Sequence, residues 1–241
     1  MGAPPAWRYR ISDLTPADDR GRREHGGLSP TLLELILGEG LSGKTVLDVG
    51  CGTGRLALAL APHAGRVMGI DWAPDAIAAA EARAQAAGLT QLRFVVADAE
   101  KTDYAALLGG APDLVVANLC MSDAIIARAA EALPPGGVLA FSAFHRDQWI
   151  ETGVPSRFAY TEAGMEAALS AAGFLPESLA LEREVVRFAD QPEAEAFCRG
   201  MGRLWEKWQQ DGRWQGYTRY LAGGGRALTM RSHLIVKARR A

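Results

Sequence analysis

A glycine run and three acids are the residues of this chain whose types and spacing best suit chemistry. Val46-Leu47-Asp48-Val49 reads as a buried strand, Gly50-Cys51-Gly52-Thr53-Gly54 as a turn, and 55–61 as the helix that follows. That order forms a cradle for a nucleotide-like ligand at the strand's carboxyl end. Glycine is needed there because the backbone must adopt unusual dihedrals and come close to the ligand. A dinucleotide site would read G-x-G-x-x-G and hold a pyrophosphate on the helix N-terminus. Here the pattern is G-x-G-x-G, with Arg55 where the last glycine would fall. Asp71 lies 21 positions after Gly50, at the end of the apolar run 66–70, where a carboxylate can accept both hydroxyls of a ribose. Asp98 ends a third apolar run, 92–97.

Glycine turn, Asp71 and Asp98 in this order resemble the class I S-adenosylmethionine-dependent methyltransferases, over about residues 45–144. The resemblance implies an α/β fold: a Rossmann-like three-layer sandwich around a seven-stranded, mostly parallel sheet. Its last strand (233–239) would be antiparallel and lie between 138–143 and 177–188. The implied cofactor is S-adenosylmethionine, with S-adenosylhomocysteine as product. Gly50, Cys51, Gly52 and Gly54 would let the backbone approach its methionine part, and Asp48 would position the amino group, directly or through water. Asp71 would take the ribose hydroxyls. Trp72 would lie on the adenine face. Asp98 would accept from the adenine amino group, and Ala99 would offer its backbone amide.

Methyl transfer from a sulfonium is an in-line displacement. Much of its catalysis can come from placing the nucleophile and excluding water. In the resembled family, substrate-facing residues follow the fourth strand, which ends here in Asn118-Leu119-Cys120-Met121. The Asn/Asp-Pro-Pro-aromatic motif of amino-group methyltransferases is missing its prolines, which argues against a base-amino substrate. Asn118, the chain's only asparagine, is a candidate for both the cofactor and the methyl-transfer end; a turn cap is the competing reading. A base is needed only if the nucleophile must lose a proton. His145, just after the fifth strand, is the candidate, against the reading of a solvated loop histidine. Tyr9, His25 and Tyr160 are further candidates to line the pocket, whereas His63 and His233 read as structural. No metal cluster is expected.

These residues need elements to hold them. Strands alternate with helices, as a parallel sheet covered on both faces requires. Ser29-Pro30 starts a helix to about Gly38. The predicted strands are 45–50, 66–71, 92–97, 113–117 and 138–143, with helices at 53–63, 74–87, 102–108 and 123–132 between and after them. Irregular chain over 145–160 leads to a helix at 161–172, a strand at 177–188 and a helix opened by the capping box Asp190-x-x-Glu193. Residues 1–28 read as a leader or lid, 29–241 as the methyltransferase domain, and about 190–230 as a lid insert.

Of 241 residues, 49% are hydrophobic and the net charge is −2, which suits one globular domain with a lid. No apolar run spans a bilayer and the first residues lack a secretory core, so a cytoplasmic protein is expected. Three scattered cysteines, Cys51, Cys120 and Cys198, make neither a disulfide frame nor a zinc site. Residues 199–241 carry ten Lys or Arg against Glu206 and Asp211, and their basic residues interleave with Trp205, Trp208, Trp214, Tyr217 and Tyr220. Such a segment suits single-stranded nucleic acid, an arginine clamp on an anionic small substrate, or an amphipathic lid helix over 203–220 with its tryptophans inward. A sequence pI near 6.1 argues against broad nucleic-acid affinity. The leading expectation is a methyltransferase acting on a small molecule or carrier-bound acyl group. It resembles, loosely, the malonyl-carrier-protein carboxyl methyltransferases and quinone-pathway enzymes. The alternatives are an RNA or protein methyltransferase and a non-enzymatic cofactor-binding regulator. Substrate and oligomeric state stay open.

Overall fold

The computed structural model describes residues 7–17, 28–156 and 158–241. The leader supplies β1 (Arg8–Leu14). There follow α1 (Pro30–Leu37), β2 (Thr45–Val49), α2 (Arg55–Leu60), β3 (Arg66–Asp71), α3 (Pro74–Ala86), β4 (Leu92–Val96), α4 (Tyr104–Leu108), β5 (Leu114–Asn118), α5 (Asp123–Ala132) and β6 (Val138–His145). The rest comprises β7 (Ala159–Tyr160), α6 (Glu162–Ala171), β8 (Phe174–Arg187), α7 (Gln191–Arg199), α8 (Arg203–Gln210), α9 (Arg213–Ala222) and β9 (Ala227–Arg240). Among the described residues the strands form one sheet in the order β1-β8-β9-β6-β5-β2-β3-β4, with β7 beside β6. Only β9 pairs antiparallel, and it lies between β6 and β8.

The chain runs β2, β3, β4 towards one edge and then restarts at β5 on the other side of β2. That reversal leaves a crevice above the carboxyl ends of β2 and β5, where open sheets of this kind hold ligands. Helices cover both faces. Leu32, Ile36, Leu56, Leu60, Ile77 and Ala80 close one face over Val46, Val116 and Ala140. Tyr104, Ile125, Ile126, Met165 and Leu169 close the other over Leu47, Val115 and Phe141. The starts are capped where the sequence predicts. Ser29 accepts from Leu32 N at 3.2 Å, and Asp190 accepts from Glu193 N at 2.9 Å. Glu193 reaches back one residue beyond the cap, to Ala189 N at 2.7 Å.

Three features differ from the sequence reading. The sheet has nine strands rather than seven, the additions being β7 and β1. β1 pairs in parallel with β8, Arg8 opposite Ala180 through Leu14 opposite Val186. It is an edge strand with little to bury: Tyr9 and Ile11 are each 62% exposed, so apolar alternation could not announce it. The last strand runs 227–240 rather than 233–239, because β8 and β9 continue past the sheet edge as a ribbon. The segment 203–220 is two helices broken at Asp211-Gly212, where Gly212 takes φ 86°.

That ribbon and α7–α9 bury a third core of their own. Trp208 and Tyr217 are fully buried in it beside Val186, Phe188, Cys198 and Leu228. Trp205 and Trp214 meet edge to face at 4.3 Å between centroids. Gly216 is what lets α9 lie on the turn at 150–152, since a Cβ there would stand 1.7 Å from Thr152 O.

Candidate active site

The strand ends bring the predicted cofactor residues to one edge, where the three glycines do different work. Gly50, Gly52 and Gly54 have φ of 63°, 53° and 81°. A Cβ on Gly50 would stand 2.0 Å from Cys120 Sγ, and one on Gly54 would stand 2.6 Å from Phe94 Cζ. A Cβ on Gly52 would meet nothing within 4 Å. Gly50 and Gly54 are therefore small for the sake of packing, while Gly52 faces open space. Cys51 is buried below the turn, and burial pushes its thiol pKa up.

Asp71 sits at the end of β3, 9% exposed. It accepts from Gly52 N at 2.8 Å and from Ala73 N at 3.0 Å, so it shapes the glycine turn as well as facing the edge. Trp72, next to it, is 78% exposed, an uncovered aromatic plate at the rim. Asp98 accepts from Glu100 N at 3.0 Å and pairs with Lys101 at 2.8 Å. The Lys101 contact holds its carboxyl below the usual range. Ala99 O accepts from Tyr104 OH at 2.5 Å, which fixes this loop.

Asp48 lies fully buried at the level of the turn, and its Oδ2 accepts from Ala57 N at 3.0 Å. Its Oδ1 has no hydrogen-bond partner among the described residues. Burial pushes its pKa up to about 8; the Ala57 amide opposes the shift and the Asp71 charge adds to it. An orphaned buried carboxylate oxygen fits a ligand ammonium. Together with the space over Gly52, the Asp71 carboxylate and the Trp72 plate, it makes the residues present fit S-adenosylmethionine.

Asn118, the candidate for the methyl-transfer end, is held by an unforeseen partner. Asn118 closes β5 and its Oδ1 accepts from Ser142 Oγ of β6 at 2.8 Å. Leu119 follows with φ 57°, rare for a leucine. It swings Cys120 over Gly50. Burial, with Asp71 and Asp48 adding, raises the Cys120 thiol pKa to about 11. The one legible signal for Ser142 was a polar residue within the otherwise apolar strand 138–144.

His145, expected as a base, is 4% exposed. Its Nδ1 meets Ser232 Oγ at 3.1 Å and accepts from Asp147 N at 3.3 Å; its Nε2 meets Glu162 Oε2 at 3.1 Å. In this arrangement neither nitrogen is open to an acceptor. Tyr160 donates to Asp123 Oδ1 at 2.7 Å. Tyr9 is exposed on β1 near Glu162. His25 lies outside the described residues.

His233 was missed as a lining residue. With Arg10, Ser12, Ser29, Glu182 and Arg231 it borders a cavity of about 200 Å³ between β1, β8, β9 and the start of α1. Burial, with Arg231 adding, pushes the His233 pKa down to about 3, so its imidazole is neutral. Phe144 packs edge-on against His233 at 5.6 Å, two residues beyond Ser142 on β6. The cavity and the Asn118–Ser142 pair therefore lie at one end of the sheet.

A doubly covered sheet with a glycine turn, two acids and an aromatic plate at its carboxyl edge defines a nucleoside-cofactor-binding α/β protein. The family described as "Methyltransferase domain" matches residues 41–211. The chain belongs to that family, the S-adenosylmethionine-dependent methyltransferases of class I fold. It is 39% identical over 123 residues to a ribosomal protein L11 methyltransferase of Actinobacillus succinogenes, covering 48% of this chain and 40% of the relative. It is 32% identical over 127 residues to a ubiquinone biosynthesis O-methyltransferase of Vibrio parahaemolyticus, covering 50% and 53%. The chain thus spans about half, or less, of these curated relatives. In fold it is similar to the magnesium protoporphyrin IX methyltransferase of Synechocystis with bound S-adenosylhomocysteine (TM-score 0.58, 18% identity, 93% of this chain and 94% of that one). No helix among the described residues is long and apolar enough to cross a membrane.

Proposed function

We propose that this protein transfers the methyl group of S-adenosylmethionine to a small molecule or a carrier-bound acyl group. The cofactor supplies an electrophilic methyl on a sulfonium, and the residues at the edge bind, orient and exclude water. Asp48 Oδ1 takes the cofactor's ammonium, Asp71 the ribose hydroxyls, Trp72 the adenine face, and Asp98 with the Ala99 amide the adenine edge. Gly52 gives the cofactor room. Asn118 meets the reacting end, and the cavity by His233 lodges the acceptor beyond it. His145 holds the end of β6 through Ser232 and Glu162. Residues 1–28 are the leader, 29–241 the methyltransferase domain and 190–230 its lid, in a protein at home in a reducing cytoplasm.

The observation that carries the acceptor class is the inward turn of the cap aromatics. Trp208 and Tyr217 are fully buried, and Trp205, Trp214 and Tyr220 are partly buried against the same core, which leaves few of the stacking faces that a single-stranded nucleic acid would need. Arg213 is also turned in, 7% exposed, with its guanidinium 5.5 Å from the Trp149 ring centroid. The test is transfer of labelled methyl from S-adenosylmethionine into a host extract, followed by nuclease, protease and size separation. Label in the small-molecule or carrier fraction supports this reading. Nuclease-sensitive label, or protease-sensitive label in ribosomal fractions, would replace it with a macromolecular acceptor. Cofactor binding without any labelled product would point to a regulator. Asp71→Ala is expected to weaken cofactor binding by about 1–3 kcal/mol in calorimetry, through its lost charged hydrogen bonds.

A further inference from the structure

The Ser142–Asn118 pair has a direction. Ser142 Oγ donates to Asn118 Oδ1 at 2.8 Å and receives Leu119 N at 3.1 Å. A serine hydroxyl carries one hydrogen. With the amide turned round, Asn118 Nδ2 and Leu119 N would both donate to Oγ. The hydrogen of Oγ, on a residue 1% exposed, would then lose its acceptor. The arrangement with Oδ1 on Ser142 gives both the Oγ hydrogen and Leu119 N a partner, which is how amide orientation is assigned. Oδ1 and Nδ2 diverge from Cγ, and β5 lies between β6 and β2. Fixing Oδ1 towards β6 turns Nδ2 away from β6.

We propose that Ser142 is a positioning residue which presents the Asn118 amide nitrogen as a hydrogen-bond donor at the methyl-transfer end, and that the acceptor is accordingly a carboxylate methylated on oxygen. This rests on the methyl-transfer reading above and narrows it. An amine acceptor would be oriented by carbonyl oxygens, whereas Nδ2 offers a donor, which suits an acceptor oxygen. A neutral hydroxyl needs a base, and both His145 nitrogens are engaged. A carboxylate is ionised at neutral pH. One of its oxygens accepts from Nδ2–H while the other takes the methyl: the O–C bond forms, the C–S bond breaks, and its electron pair stays on sulfur. The carboxylate's negative charge and the sulfonium's positive charge cancel, and no proton moves.

The chain's single asparagine makes this readable. Protein labelled with ¹⁵N-asparagine has one side-chain amide pair, that of Asn118. Calorimetry first establishes S-adenosylhomocysteine binding; no binding would overturn the methyl-transfer reading itself. The complex is then titrated with acetate and malonate, and separately with methylammonium at matched ionic strength. The expected result is a saturable shift of the Asn118 amide pair by the carboxylates alone. Ser142→Ala should weaken that titration about tenfold while S-adenosylhomocysteine affinity stays unchanged. A shift by methylammonium, or indifference to both carboxylates, would overturn the proposal. So would an amide that moves with S-adenosylhomocysteine and then ignores carboxylate, since the donor would then serve the cofactor. In the labelled extract, methyl released as methanol by mild alkali supports an ester, and alkali-stable label refutes it.

Discussion

A Cβ at Gly54 would stand 2.6 Å from Phe94, whereas one at Gly52 would meet nothing within 4 Å. The same substitution should therefore fail in two ways. Gly54→Ala is expected to cost about 1–3 kcal/mol from overpacking and a further 1–2 kcal/mol, roughly, for the left-handed backbone. Gly52→Ala should cost only the second amount yet weaken cofactor binding about tenfold or more, because its methyl occupies ligand space. Urea melts alongside calorimetry separate the two. Asp48 adds a pH signature. Its folded pKa of about 8 exceeds the unfolded value of roughly 3.9. Between those values the native state binds the extra proton, so stability falls as pH rises from about 4 to about 8. Asp48→Asn should flatten that slope in urea midpoints measured across this range. Cofactor binding to the wild type at pH 7 should release a proton, visible as a buffer-dependent enthalpy.

At the scale of elements, the cap is a small core on its own supports. The β8–β9 ribbon carries it, and the turn at 150–152 braces it: Glu151 accepts from Thr229 N and Oγ1 at 2.9 and 2.7 Å. α9 presses on that turn through Gly216, which has no room for a side chain. Gly216→Ala should push α9 off the turn and destabilise the cap by about 1–3 kcal/mol. Hydrogen exchange should then quicken over 190–226, while the amides of β2, β3 and β5 keep their protection. Uniform quickening across the sheet would mean that cap and sheet unfold as one unit.

Across the whole molecule, the +8 net charge of residues 199–241 is expected not to make a nucleic-acid surface. Arg203, Lys207 and Arg219 are exposed, but the aromatics between them face the third core. Cations without stacking faces give weak, salt-sensitive contact. Fluorescence polarisation with a labelled oligouridine should show no binding at physiological salt. Tight, salt-resistant binding would require the cap aromatics to turn outward.

The fold, and the meeting of the glycine turn with Asp71 and Asp98 at one sheet edge, were legible in the sequence because both rest on local rules. Apolar period sets strand and helix, serine and aspartate mark helix starts, and the glycine turn with Asp71 and Asp98 keeps its meaning wherever the sheet places it. β1 was not legible, since an exposed edge strand leaves no apolar alternation to read. The direction of the Asn118 amide depends on Ser142, 24 positions away, and on pairing between β5 and β6. The partners of His145, Ser232 and Glu162, are brought to its two nitrogens from β9 and α6. Whether five tail aromatics stack on a ligand or on each other depends on which face of a helix is covered. Composition and spacing name the groups; only tertiary contact consumes or frees their hydrogen-bonding atoms and faces.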